Sequence, residues 1–261
     1  MLVVTGGAGF IGSVLLWQLN VAGRDDIIVV DHLGESNKWR NLVKRRYADY
    51  MPRERFRELL LRDALPFSVD GIVHLGACSA TTELNSDFLM DNNFHYSQDL
   101  CRYALEKGIR IVVASSASTY GDGSLGFSDN LDLLHKLKPL NMYGYSKHLL
   151  DLWILREGLQ NDIASLKFFN VYGPNEYHTQ GMKTKKPPDT QAHELESRDL
   201  SWSETQSPAA GKLLWDTRMR AFSGELKGIF KRLLQPHSQQ ICKCQYMSTI
   251  IIRHTISAIT M

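Results

Sequence analysis

The stretch Leu2-Val3-Val4-Thr5-Gly6-Gly7-Ala8-Gly9-Phe10-Ile11-Gly12 decides the fold. Leu2 to Thr5 reads as a short buried strand. Phe10, Ile11, Val14, Leu15 and Leu19 then recur at helical spacing, and Gly23 ends that helix. Between strand and helix, Gly6, Gly9 and Gly12 fit G-x-x-G-x-x-G, while Gly7, Gly9 and Gly12 fit G-x-G-x-x-G. A sharp turn needs positive φ, and backbone that must approach a pyrophosphate cannot carry side chains. The helix N-terminus behind such a turn offers N–H groups and partial positive charge to phosphate. Asp31 ends the next apolar run, nineteen residues beyond Gly12, where a carboxylate can bond an adenosine ribose. The reading is a dinucleotide loop. Asp31 alone favours NAD, because a carboxylate repels a 2′-phosphate. Lys38 and Arg53, in the following loop and helix start, could neutralise that phosphate.

Outward from the loop, strands and helices alternate. Ile27–Val30, Gly71–Leu75, Ile111–Ala114 and Ile163–Phe169 read as strands. Helices are expected from Pro52 with Phe56, Leu59 and Leu60 on one face, from about Ser86 to Gly108, and from Tyr143 to Arg156. Apolar runs on strands that alternate with helices predict an α/β fold of the doubly wound Rossmann type, a parallel sheet covered on both faces.

The chain changes character near residue 175. All twelve valines lie at or before Val171. Between Asn175 and Gly211 the only branched aliphatic residues are Leu195 and Leu200, too few to offset ordering entropy. The expected organisation is a nucleotide-binding domain over 1–174, an irregular polar segment over 175–211, and an amphipathic helix with a tail over 212–261. In that helix Trp215, Met219, Phe222, Leu226, Ile229 and Leu233 share a face, with Arg218, Arg220, Lys227, Lys231 and Arg232 around them.

Composition excludes several classes. A formal net charge of +2 over 261 residues gives no footprint for nucleic acid. No apolar run reaches the ~20 residues of a membrane span. Cys242 and Cys244 form C-x-C without a second pair, so no zinc site is expected, and with Cys78 and Cys101 they read as reduced thiols. No apolar leader precedes Leu2, so a cytoplasmic location is expected.

The chemistry sits further on. Ile111–Ala114 runs into Ser115-Ser116-Ala117-Ser118-Thr119-Tyr120-Gly121, and Tyr143-Gly144-Tyr145-Ser146-Lys147 forms Y-x-x-x-K. Positions i and i+4 share a helix face. The Lys147 charge is therefore expected to lower the Tyr143 phenol pKa, so that the phenolate can act as a base, with a serine hydroxyl bonding the same substrate oxygen. Such a set removes a proton from an alcohol while hydride leaves its carbon.

Together these residues resemble the extended short-chain dehydrogenase/reductases that act on nucleotide sugars, and within them the ADP-heptose 6-epimerases. The segments that carry the resemblance are Thr5–Gly12, Asp31–Lys38, Ala48–Met51, His74–Glu83, Met90–Asn93, Ala114–Gly121, Pro139–Lys147 and Phe168–Pro174. The resemblance implies NADP as cofactor, with NAD as the alternative. It places Phe10 and Ile11 at the pyrophosphate and Asp31, His32, Lys38 and Arg53 at the adenosine end. Leu75, Gly76, Ala77, Cys78, Ser79 and Asn92 would line the cofactor. Ser116, Tyr143 and Lys147 would be catalytic, with Asn170 and Val171 where substrate and cofactor meet. It further implies ADP-heptose or a similar sugar nucleotide as substrate, reversible oxidation at carbon six, a role in lipopolysaccharide synthesis, and leaves a homo-oligomer open. The family places a lysine after the His of its Gly-Pro…His segment, whereas Thr179 follows His178 here. Recognisable motifs stop near residue 178. That loss points to an altered or frameshifted C-terminal third, and to a rival reading in which the chain binds dinucleotide but turns over poorly.

Overall fold

A computed structural model of the chain describes residues 1–171. The polar segment, the amphipathic helix, Cys242, Cys244 and the His178–Thr179 position all lie outside the described residues. Six parallel strands form one sheet: β1 (Leu2–Thr5), β2 (Ile27–Asp31), β3 (Asp49–Pro52), β4 (Gly71–His74), β5 (Arg110–Ser116) and β6 (Ile163–Phe168). Their order is β3-β2-β1-β4-β5-β6. The direction of winding reverses between β1 and β4, and in open sheets of this kind ligands bind outside the carboxyl ends of the strands at that point. Thr5 pairs with Val30 on one side and His74 on the other, which aligns the three strand ends there.

The strands β1, β2 and β4 are buried along their whole length. Helices α1 (Phe10–Val21), α2 (Arg53–Leu61), α3 (Ser86–Leu89), α4 (Tyr96–Glu106) and α5 (Met142–Arg156) complete the α/β pattern. The main core joins Val3, Ile28, Val30 and Ile72 of the sheet to Phe56 and Leu60 of α2, Leu100 of α4, and Leu150 and Trp153 of α5. Each such side chain contributes roughly 1.5–3 kcal/mol on burial.

Two elements differ from the expectation. Strand β3 was not expected: only Met51 of Asp49-Tyr50-Met51-Pro52 is buried, and Pro fits a strand end at a sheet edge. The region expected as one helix from Ser86 to Gly108 is broken by a π-helical segment, Met90–His95, between α3 and α4. That wide turn buries both Asn92 and Asn93. Among the described residues, no helix is long and apolar enough to cross a membrane.

Candidate active site

The glycine turn leaves β1 and enters α1 at Gly9, which stands at the N-cap. No side chain caps this terminus, and its first turn holds no acidic residue. A Cβ on Gly12 would lie 2.1 Å from the Gly6 carbonyl oxygen, so only glycine allows the helix to start here. Among the described residues, a Cβ on Gly9 would meet only that oxygen, at 3.1 Å. Open space of this kind at a helix N-terminus is chemically suited to a pyrophosphate, and a larger side chain would fill it. Gly6 and Ile11 are half-buried and Phe10 is buried.

Asp31 is buried, and its carboxylate ties the loop together. It accepts from Ala8 N–H at 2.9 Å, His32 N–H at 2.7 Å and the Lys38 ammonium at 2.6 Å. The Lys38 charge thus neutralises the carboxylate that would repel a 2′-phosphate. Arg53, at the start of α2, donates to Asn92 Oδ1 and to Glu54. His32 is exposed and lies 3.7 Å from Glu54. Asp31, His32, Lys38 and Arg53 are thus gathered beside the ends of β2 and β3.

The Leu75–Ser79 segment follows β4. Leu75, Gly76, Ala77 and Cys78 are half-buried and Ser79 is exposed. Two residues that sequence reasoning missed hold this segment. Asn93 accepts from Cys78 N–H and donates to Cys78 O, accepts from Asn92, and donates to Ser146 Oγ, which donates on to Tyr143 O. The whole hydrogen-bonding capacity of this buried amide is used. His74 is the second. Ser97 Oγ gives its own proton to Asn93 O, so His74 Nε2–H donates to Ser97, at 2.8 Å. Nδ1 of the neutral ring is then the acceptor, and the Thr5 hydroxyl, which itself accepts from Gly76 N–H, donates to it at 2.6 Å. Full burial keeps the ring neutral, with its pKa pushed down to about 3. A polar His ending the apolar run Gly71-Ile72-Val73-His74 is the signal that could have found it.

Ser116 ends β5 and caps the short 3-10 turn Ala117–Tyr120, its Oγ accepting from Ser118 N–H at 3.1 Å. Asn141 caps α5 by accepting from Gly144 N–H at 2.8 Å. Gly144 lets this helix come close: a Cβ there would lie 2.8 Å from Ser118 O. That approach sets the Tyr143 phenol close enough to the Ser116 side chain for the hydroxyl to act on its pKa. Lys147 is buried, donates to Ala114 O at 2.8 Å, and has its pKa lowered by burial to about 8. Asn170 is exposed and Val171 half-buried, both just beyond β6, whose Phe168 pairs with Ser116.

One electrostatic expectation is corrected. The Tyr143 pKa is raised, not lowered: burial raises it, and the Ser116 hydrogen bond opposes this only in part. The Lys147 ammonium is turned to the Ala114 carbonyl and attracted by Asp151, so it does not dominate the phenol.

All these groups meet along the carboxyl edge of the sheet: a bare glycine turn at a helix N-terminus, a carboxylate neutralised by Lys38, and a Ser-Tyr-Lys set. Residues 2–201 match the model of the NAD dependent epimerase/dehydratase family. The ADP-L-glycero-D-manno-heptose-6-epimerase of Nitratidesulfovibrio vulgaris (strain Hildenborough) is 61% identical over 184 residues, which are 70% of this chain and 57% of that protein. The chain thus spans less than two thirds of that relative. The solved structure of the same enzyme from Helicobacter pylori superposes with a TM-score of 0.59 at 28% identity, covering 69% of this chain and 58% of that one. A dTDP-glucose 4,6-dehydratase from Streptomyces venezuelae, solved with NAD bound, gives 0.55 at 29% identity, covering 67% and 57%. The family match runs past the last recognisable motif, and on its extent the chain belongs to the NAD dependent epimerase/dehydratase family.

Proposed function

We propose that this chain interconverts ADP-D-glycero- and ADP-L-glycero-manno-heptose by transient oxidation at carbon six. The observation that carries the reading is the docking of α5, with Tyr143 and buried Lys147, against the end of β5 at Ser116, on a chain 61% identical over its matched part to an enzyme of that name. Tyr143 takes the proton of the substrate hydroxyl, and Ser116 holds the same oxygen. Lys147 lies one helical turn further along the same face of α5, its ammonium held on the Ala114 carbonyl. A bound dinucleotide would supply reversible hydride acceptance at the reacting carbon. Gly6, Gly9, Phe10, Ile11 and Gly12 would hold its pyrophosphate, and Leu75–Ser79 with Asn92 would line it. Asn170 meets the sugar and Val171 the cofactor.

For the cofactor we favour NADP over NAD, supported by the 2.6 Å Lys38–Asp31 pair and by Arg53 close by. We place the reaction in the cytoplasm, where lipopolysaccharide precursors are built from sugar nucleotides. A second reading, a dinucleotide-binding chain with poor turnover, is favoured by Thr179 in place of the family lysine. Product analysis with ADP-D-glycero-heptose, UDP-galactose and dTDP-glucose tests both. Conversion of the heptose alone supports the first. Conversion of another sugar nucleotide in its place contradicts it. Tight NADP binding without conversion selects the second.

A further inference from the structure

Helix α5 carries a third polar residue in step with Tyr143 and Lys147. Asp151 lies one further i, i+4 step along, and it is 6% exposed. Its Oδ2 accepts from the Ser115 hydroxyl of β5 and the Lys167 ammonium of β6, each at 2.7 Å. Its Oδ1 accepts from the Ser165 hydroxyl of β6, also at 2.7 Å. Ser115 and Lys167 are register partners, so one carboxylate bridges both strands. Lys167 then donates to Thr119 Oγ1 at 2.7 Å and sits 5.0 Å from the Tyr120 ring centre. Thr119 and Tyr120 belong to the turn that Ser116 caps. The cluster thus ties α5 to the end of β5, where Ser116 meets Tyr143.

We infer that Asp151 is a positioning residue for Tyr143 and Lys147: its carboxylate fastens α5 across β5 and β6 and sets the charge balance in which the Lys147 ammonium sits. This rests on the reading of Tyr143 and Lys147 as the proton-handling pair. A carboxylate that only fastened a helix would need no particular charge. A buried cation is different, because its protonation answers to every nearby charge in a medium of low dielectric. Among the described residues, the titratable groups around Lys147 are Tyr143 and Asp151 on its own helix and His74 on β4, and the ring of His74 is neutral. Lys167 and His148 in turn face Asp151. Asp151 is therefore the anion in this group, and Lys167 is the cation that partly cancels it.

Two substitutions with opposite charge consequences test the assignment. In the purified full chain with 13C,15N-labelled lysine, the Lys147 side-chain signal is assigned by its loss in Lys147→Met and titrated by NMR. In Asp151→Asn the amide still accepts hydrogen bonds but carries no charge, so the Lys147 midpoint falls by about one pH unit or more. In Lys167→Gln the carboxylate is no longer offset, and the midpoint rises. General loosening of the helix would move both variants in the same direction, and that result, or no movement in either, would overturn the assignment. Should Asp151→Asn not fold, Lys167→Gln decides alone, and an unchanged or lowered midpoint counts against it. An unaltered chain that converts no heptose would remove the functional reading while both midpoints remain measurable.

Discussion

At the scale of single residues, charge neutralisation at the adenosine end and neutrality in the core each have a measurable consequence. The Lys38 ammonium sits 2.6 Å from an Asp31 oxygen on a side chain about one third exposed. The ammonium is therefore open on one side to an anionic ligand. Lys38→Ala restores the full repulsion of Asp31. Calorimetry should then show NADP affinity falling at least about tenfold more than NAD affinity, since a hydrogen bond to a charged group contributes ~1.5–3 kcal/mol. Equal losses would reduce Lys38 to a surface charge. His74 titrates near 3 in the folded chain against an ordinary 6.5. Between those values the unfolded chain binds a proton that the folded chain refuses. The stability associated with neutral His74 is whole above pH 6.5 and is lost as pH falls toward 3, by up to about 1.4 kcal/mol per pH unit. His74→Gln keeps an acceptor for Thr5 and a donor for Ser97 but cannot titrate. Urea unfolding between pH 7 and 4 should give a shallower loss in the variant, and parallel curves would contradict the neutral-imidazole chain. Much of the candidate site could be named at this scale. Gly9, Asp31, Lys38, Ser116, Tyr143 and Lys147 stand out as candidates because spacing and residue type suggest a chemistry, and the structure brings them to the carboxyl edge of the sheet. Asn93 and Asp151 do not, because a buried amide and a buried carboxylate reveal their roles only through partners from distant strands.

At the scale of elements, the turn before α1 and the docking of α5 carry the account. Among the described residues, a Cβ at Gly9 meets only the Gly6 carbonyl, so Gly9→Val should fold and lose dinucleotide binding. Calorimetry showing unchanged NADP affinity would contradict the assignment of the turn. Gly144→Ala poses a contest. Alanine favours a helix by about 1 kcal/mol over glycine. Its Cβ would stand 2.8 Å from backbone at Ser118, and overpacking typically costs 1–3 kcal/mol. We expect the clash to win, so that α5 shifts away from Ser116, turnover drops at least about tenfold, and NADP affinity changes less. A thermal midpoint that rises with unchanged turnover would show that the approach is not required. Strands β1, β2, β4, β5 and β6 were legible because apolar runs meet a buried parallel sheet. Strand β3 was not, since an edge strand bearing Asp49 and Pro52 lacks that pattern. The π-helical break at Met90–His95 was hidden for another reason: the apolar spacing of a π turn differs from that of an α turn by one residue, too little to show over six positions.

At the scale of the molecule, the described residues supply the glycine turn and the Ser-Tyr-Lys set, and the central claim is that one chain uses both, with a dinucleotide on the turn, to invert a carbon with no net oxidation. Reversible hydride transfer to a retained cofactor makes a specific demand. The hydrogen on carbon six must return from the cofactor, and only the hydroxyl proton exchanges with water through Tyr143. The most direct measurement is conversion of ADP-D-glycero-manno-heptose by the full chain in deuterated water, followed by NMR of carbon six with cofactor at catalytic amounts. The account predicts the L-glycero epimer with its original hydrogen at carbon six and many turnovers per bound NADP. Deuterium from solvent at that carbon, or no epimer while NADP remains bound, would contradict it.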